Sequence, residues 1–125
     1  MAKWANDAVM DAALDYVSTN ATELYLCSGG AAPADRTAAR AASLIDTTTP
    51  VSPSFSANAN GDVSGRKVTV QQVTDEAITA SGDATHIALC SGTTLIYVTT
   101  CTTQTLTSGG TVTIPAWDIE IEDPA

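Results

Sequence analysis

Residues 66–121 form a succession of short runs rich in Val, Ile and Thr, each bounded by turn residues. The runs are 66–73, 77–80, 84–90, 94–100, 104–106, 111–114 and 117–121; Ser81-Gly82-Asp83, Ser91-Gly92 and Ser108-Gly109-Gly110 stand among them as turns. β-Branched side chains suit a pleated surface, and pieces this short with such punctuation read as strands. The spacing predicts an antiparallel meander that closes into a sandwich or small barrel. The clearest hairpin is 84–90 with 94–100, turning at Ser91-Gly92.

The first half differs. Asn6 can cap a helix over 6–19, with Asp7 in its first turn, where the helix dipole favours a carboxylate. Met10, Ala13, Leu14 and Val17 give it one apolar face. Asp7, Asp11 and Asp15 give it an acidic stripe, which serves either as a solvated face or as a docking stripe for a basic partner surface. Asn20 is expected to end the helix, as Asn often does. A strand follows at 23–27, closed by Ser28-Gly29-Gly30. Residues 31–43 are Ala-rich and predict a short helix from near Pro33 and Asp35, weakly packed for want of large apolar side chains. Residues 46–65 read as loop, with Val51 and Phe55 pinning a short extended piece. Leu24-Tyr25-Leu26-Cys27-Ser28-Gly29 echoes Ile87-Ala88-Leu89-Cys90-Ser91-Gly92 without matching flanks, so the echo reads as two similar strand ends.

The expected fold is therefore mainly β (α+β): an N-terminal helix packed on an antiparallel β-sandwich or small barrel. One domain spans 1–125, with the helix at 6–19, a loop-rich region at 30–65 and a β meander at 66–125. A chain of 125 residues buries roughly two-thirds of its unfolded surface, enough for one core. With one Phe among few aromatics, that core must come from Val, Ile, Leu and Ala.

Charge narrows the function. The net charge is -9, and all five basic residues precede position 68. Nucleic-acid binding needs clustered Lys and Arg, so it is not expected. No run nears the ~20 apolar residues of a membrane span. The N-terminus carries no secretory pattern, so a soluble protein made in the cytoplasm is expected. In 117–122, Trp117, Ile119 and Ile121 alternate with Asp118, Glu120 and Glu122, which predicts a strand with one apolar and one acidic face. Such a face limits edge-to-edge aggregation and also offers a partner surface.

Catalytic signals are few. His86 is the only histidine, placed mid-strand with Ala84, Ala88 and Cys90 expected on its face. Cys27, Cys90 and Cys101 show neither zinc spacing nor an even count, and a Cys90–Cys101 bridge across a hairpin is left open. Asn58, Asn60 and Asp62 begin like a calcium loop, but Val63 and Thr69 stand where an EF-hand needs Gly and Glu. No phosphate-binding glycine frame is present. The expectation is a binding or structural protein, not an enzyme, with no cofactor and no metal.

Four segments carry a resemblance. They are Trp4-Ala5-Asn6-Asp7-Ala8 with Asp11-Ala12 and Leu14; Ser64-Gly65-Arg66-Lys67-Val68-Thr69-Val70; the stretch from Ala84 to Leu89 with that from Gly92 to Cys101; and Ile114-Pro115-Ala116-Trp117-Asp118-Ile119-Glu120-Ile121. Together they resemble a family of small structural proteins of tailed bacteriophages. The resemblance implies a capsid decoration (cement) protein on the outside of the virion, binding the major capsid protein as a homo-oligomer. A tail-associated structural or adsorption module is the alternative. Under the resemblance, Trp4, Asp7, Asp11, Asp15, Trp117, Asp118, Glu120 and Glu122 are the candidate partner-binding residues.

Overall fold

The computed structural model describes residues 4–123. Helix α1 (Asp7–Asn20) starts where the Asn6 side chain accepts the Ala8 amide at 2.8 Å. It ends at Asn20, as expected. Asn20 stays helical and its Nδ2 donates to the Tyr16 carbonyl, while Ala21 leaves in an extended conformation. The side-chain amide thus adds a second donor to a carbonyl of the last turn, and the Ala21 amide donates to Val17 at 2.9 Å. Strand β1 (Glu23–Cys27) follows, then helix α2 (Arg36–Ala42), capped by Asp35 through the Ala38 amide.

The remaining elements are β2 (Ala59–Asn60), β3 (Arg66–Val70), β4 (Val73–Ala77), β5 (Gly82–Cys90), β6 (Leu95–Leu106), β7 (Thr111–Ile114) and β8 (Trp117–Ile121). The fold is mainly β, with all ladders antiparallel in three sheets ordered β1-β5-β6, β2-β3-β8 and β4-β7. The expected consecutive meander holds for β5 and β6 alone. β3 pairs instead with β8 and β4 with β7, so the chain nests its later strands around the earlier ones. The runs at 94–100 and 104–106 join into one strand, because nothing between them breaks β propensity.

The core explains the nesting. Leu24, Leu26, Ile87 and Leu89 from one sheet face Val68, Val70 and Ile119 from another, with Ile114 from the third and Leu14 from α1. The opposite face of the first sheet is also covered. Tyr25, Cys27, Ala88 and Cys90 pack under Ala39 of α2. A sheet buried on both faces needs unbroken apolar runs, and the Leu-Tyr-Leu-Cys and Ile-Ala-Leu-Cys stretches supply them. α2 contributes one buried residue, Ala39, to this contact.

The two echoed segments are hydrogen-bonded partners: Leu24 lies opposite Leu89, Tyr25 opposite Ala88 and Leu26 opposite Ile87. Residues 30–65 are tied down more than a loop-rich region suggests. Leu44 and Ile45 are buried, and the bridges Ile45–Ile78, Val51–Leu24 and Phe55–Val70 fix the path. Val51 and Phe55 pin the chain as expected.

Candidate interaction surfaces

Strand β3 carries the adjacent pair Arg66-Lys67, and the fold gathers the sequence's acids around it. Arg66 shares the strand face of Val68 and Val70, toward α1, where its Nε and Nη2 donate to the two Asp11 oxygens at 2.8 and 3.2 Å. Its Nη1 donates to Asn60 at 2.8 Å. Lys67, on the other face, reaches Asp62 at 2.7 Å and Asp118 at 3.3 Å. These bonds hold both cations charged, with Asp11 acting on Arg66 and Asp62 then Asp118 acting on Lys67. The Thr69 hydroxyl donates to Asp118 at 2.7 Å and, with Lys67, keeps that carboxyl below its usual range. Glu120 accepts the Asp62 amide. Strand β8 has the two faces expected of it, with Ile119 buried and Asp118 and Glu120 exposed.

Of the sequence-predicted partner residues, Asp11, Asp118 and Glu120 are therefore bound within the molecule. Asp15 accepts from Asn58 at 2.9 Å. Asp7 and Glu122 stand exposed. The acidic stripe of α1 is in large part a seam that joins the helix to β3 and the 58–62 loop, rather than a free docking stripe. Asn58, Asn60 and Asp62, read as the start of a calcium loop, spend polar groups on Asp15, Arg66 and Lys67.

A different face of α1 is open. Among the described residues, four large apolar side chains are exposed: Trp4 at 78%, Val9 at 65%, Tyr16 at 59% and Val63 at 85%. Val9 and Tyr16 lie seven residues apart on one side of the helix, with the exposed Ala12 and Ala13 between them. Trp4 stands just before that helix. This stripe faces away from Met10 and Leu14, which are buried. Sequence reasoning missed it because a helix was credited with one apolar face. The signal was present in the i, i+3, i+4, i+7 spacing of Val9, Ala12, Ala13 and Tyr16.

Trp117 is placed differently. It is half-buried, packs on the core and stacks on Tyr97 with ring centroids 5.7 Å apart. Its Nε1 is buried without an acceptor. An unpaired buried donor costs about 1–3 kcal/mol. Trp117 lines a groove of about 460 Å³ between β6 and the β7–β8 segment.

Two polar clusters brace the opposite side. Glu23 accepts from Arg36 Nε and Nη2 at 2.8 and 2.9 Å and from the Tyr25 hydroxyl at 3.0 Å. The Arg36 bonds hold the Glu23 carboxyl below its usual range, and burial with the Glu23 bond pushes Tyr25 up to about 12. His86 is buried, its Nδ1 2.9 Å from the Thr85 hydroxyl. Ala84 does not share its face. β5 and β6 step out of register between Ala84 and His86, so Ala84 turns to the main core while Ala88 and Cys90 turn to α2. Cys27, Cys90 and Cys101 are all free thiols. Cys90 packs under α2 and Cys101 against the main core, so the two lie on opposite faces of the sheet and form no bridge.

No protein-family model, curated protein or solved structure matches the chain.

Proposed function

We propose that this protein is a structural component of a tailed-bacteriophage particle, a decoration protein that binds the outer surface of the major capsid lattice. The observation that carries this reading is the exposed apolar face of α1 with Trp4. Trp4, Val9, Ala12 and Ala13 of that face fall within the Trp4-to-Leu14 segment that resembles phage structural proteins, Tyr16 follows it by two residues, and these side chains contribute nothing to the core. Exposed Trp and Tyr are residue types that anchor interfaces. A net charge of -9 keeps free copies apart in solution, while a repeating shell multiplies a small contact by avidity. Clustering of copies around capsid symmetry axes would follow from the lattice.

One observation favours the tail-associated alternative. The Asn58–Asp15 bond sets the 58–62 loop against α1 at the residue before exposed Tyr16, which brings amide and aromatic groups of the kind that suit a glycan to one end of the helix. Copy number in purified particles separates the two. Quantitative mass spectrometry should find this chain in numbers comparable to the major capsid protein. A handful of copies per particle would move the protein to the tail, and none would remove it from the virion.

A further inference from the structure

β6 and β7 are joined by a turn over residues 107–110, yet they share no ladder. Among the described residues, β6 pairs only with β5 and β7 only with β4, so each keeps one free edge. Both strands line the same groove. It is floored by core residues Leu26, Ala84 and Ile87 and continues past Gln104 toward Leu106 and Gly110. A free strand edge offers a row of N–H and C=O groups to another strand, and proteins normally blunt it with charge, proline, bulges or brevity. Other edges here are treated that way. β4 carries Asp75 at φ 54 and Glu76; β2 has two residues; β1 is covered by the bridges to Ser43 and Val51. β6 runs for 12 residues without a charge, a proline or a glycine. Its step out of register with β5, between Thr100 and Gln104, lies at the groove itself.

We infer, independently of any role on a particle, that this groove accepts an extended segment of a different protein as an added strand between β6 and β7. Alternate side chains of the segment would enter the apolar floor, and its backbone would pair with the free edges. A carbonyl of the added strand would supply, after a small tilt of the ring, the acceptor that Trp117 Nε1 lacks. Charge selects the partner. Asp83 holds Thr105 on the groove's margin, and Asp118, which also lines it, is already paired with Lys67. No Lys or Arg follows Lys67 in the sequence, so the segment should carry basic residues beside its apolar alternation. A second copy would bring its own net charge of -9 to an acidic rim.

The test is fluorescence anisotropy of the whole protein with a labelled synthetic peptide of about nine residues, alternating Val and Thr with a lysine at each end. Saturable binding is expected. A proline at the peptide's centre should abolish it, and glutamates at the ends should weaken it. Thr102→Lys, at an exposed groove position, should raise Kd by about tenfold or more. Thr93→Lys, in the turn before β6, should bind as wild type. Emission of Trp117, read in Trp4→Phe, should change on saturation. Equal binding of the proline peptide, no binding up to about 1 mM, or self-association of the protein through β6 in sedimentation equilibrium would each overturn the inference.

Discussion

At the scale of single residues, the fold depends on close approaches that only certain side chains permit. Gly65 holds φ at 71°, and a Cβ there would lie 1.8 Å from the Ile121 carbonyl oxygen. Gly65→Ala should therefore destabilise by at least about 2 kcal/mol in denaturant titration, by opening the junction between the 58–65 loop and β8. Gly92→Ala meets nothing within 4 Å and should leave stability near wild type. The thiols give a second prediction. Burial pushes Cys27 up to about 12 and Cys90 up to about 11, and both sit beneath α2. Cys101 is half-exposed and lines the groove. A maleimide or disulfide reagent should label Cys101 first in the native protein and reach the other two only on unfolding. Labelling of Cys27 at a matching rate would contradict the packing of α2.

At the scale of elements, α1 has three faces with three tasks: Met10 and Leu14 bury, Asp11 and Asp15 tie, and Val9 and Tyr16 remain open. Leu14→Ala should cost about 2–5 kcal/mol, since Leu14 is fully enclosed. Val9→Ser with Tyr16→Ser should leave stability within about 0.5 kcal/mol, because both side chains meet solvent. The pair of measurements separates a structural helix face from a binding one. α2 is the opposite case. Ala39 is completely buried over β1 and β5, so Ala39→Leu should overpack the helix–sheet contact and cost about 1–3 kcal/mol.

The same elements show where local pattern sufficed. The cap at Asn6, the strand 23–27, the alternation of 117–121 and the short helix after Asp35 were legible because each depends on neighbours in sequence. Strand partners were not legible. Nothing local to β3 says that it pairs with β8 across some fifty residues, and the meander expectation failed there. The acidic stripe misled for the same reason. Its cation, Arg66, lies 55 positions from Asp11 and meets it only after folding. The open face of α1 could have been read from spacing, but deciding which of two apolar faces packs inward required the core.

At the scale of the whole molecule, the net charge of -9 masks an uneven distribution of paired acids. Glu23 is held below its usual range by Arg36, Asp118 by Thr69 and Lys67, and Asp46 by Thr49 and Thr48. A carboxyl depressed on folding adds stability above its unfolded pKa and loses it as pH falls through the folded value. The stability difference between wild type and Glu23→Gln should thus be full above about pH 5 and shrink on further acidification. A difference that grew toward acid would contradict the Arg36 pairing. Pairing of the acids with Arg66 and Lys67 also shifts the expected character of docking through α1 from ionic toward apolar contact. The most direct measurement is co-sedimentation of the wild type and the Val9→Ser, Tyr16→Ser double variant with undecorated capsid shells at low and high salt. The wild type should pellet at a saturable, fixed ratio to the major capsid protein with little salt dependence, and the folded double variant should stay in the supernatant. Equal binding of the two, or no binding of the wild type at any salt, would contradict the account.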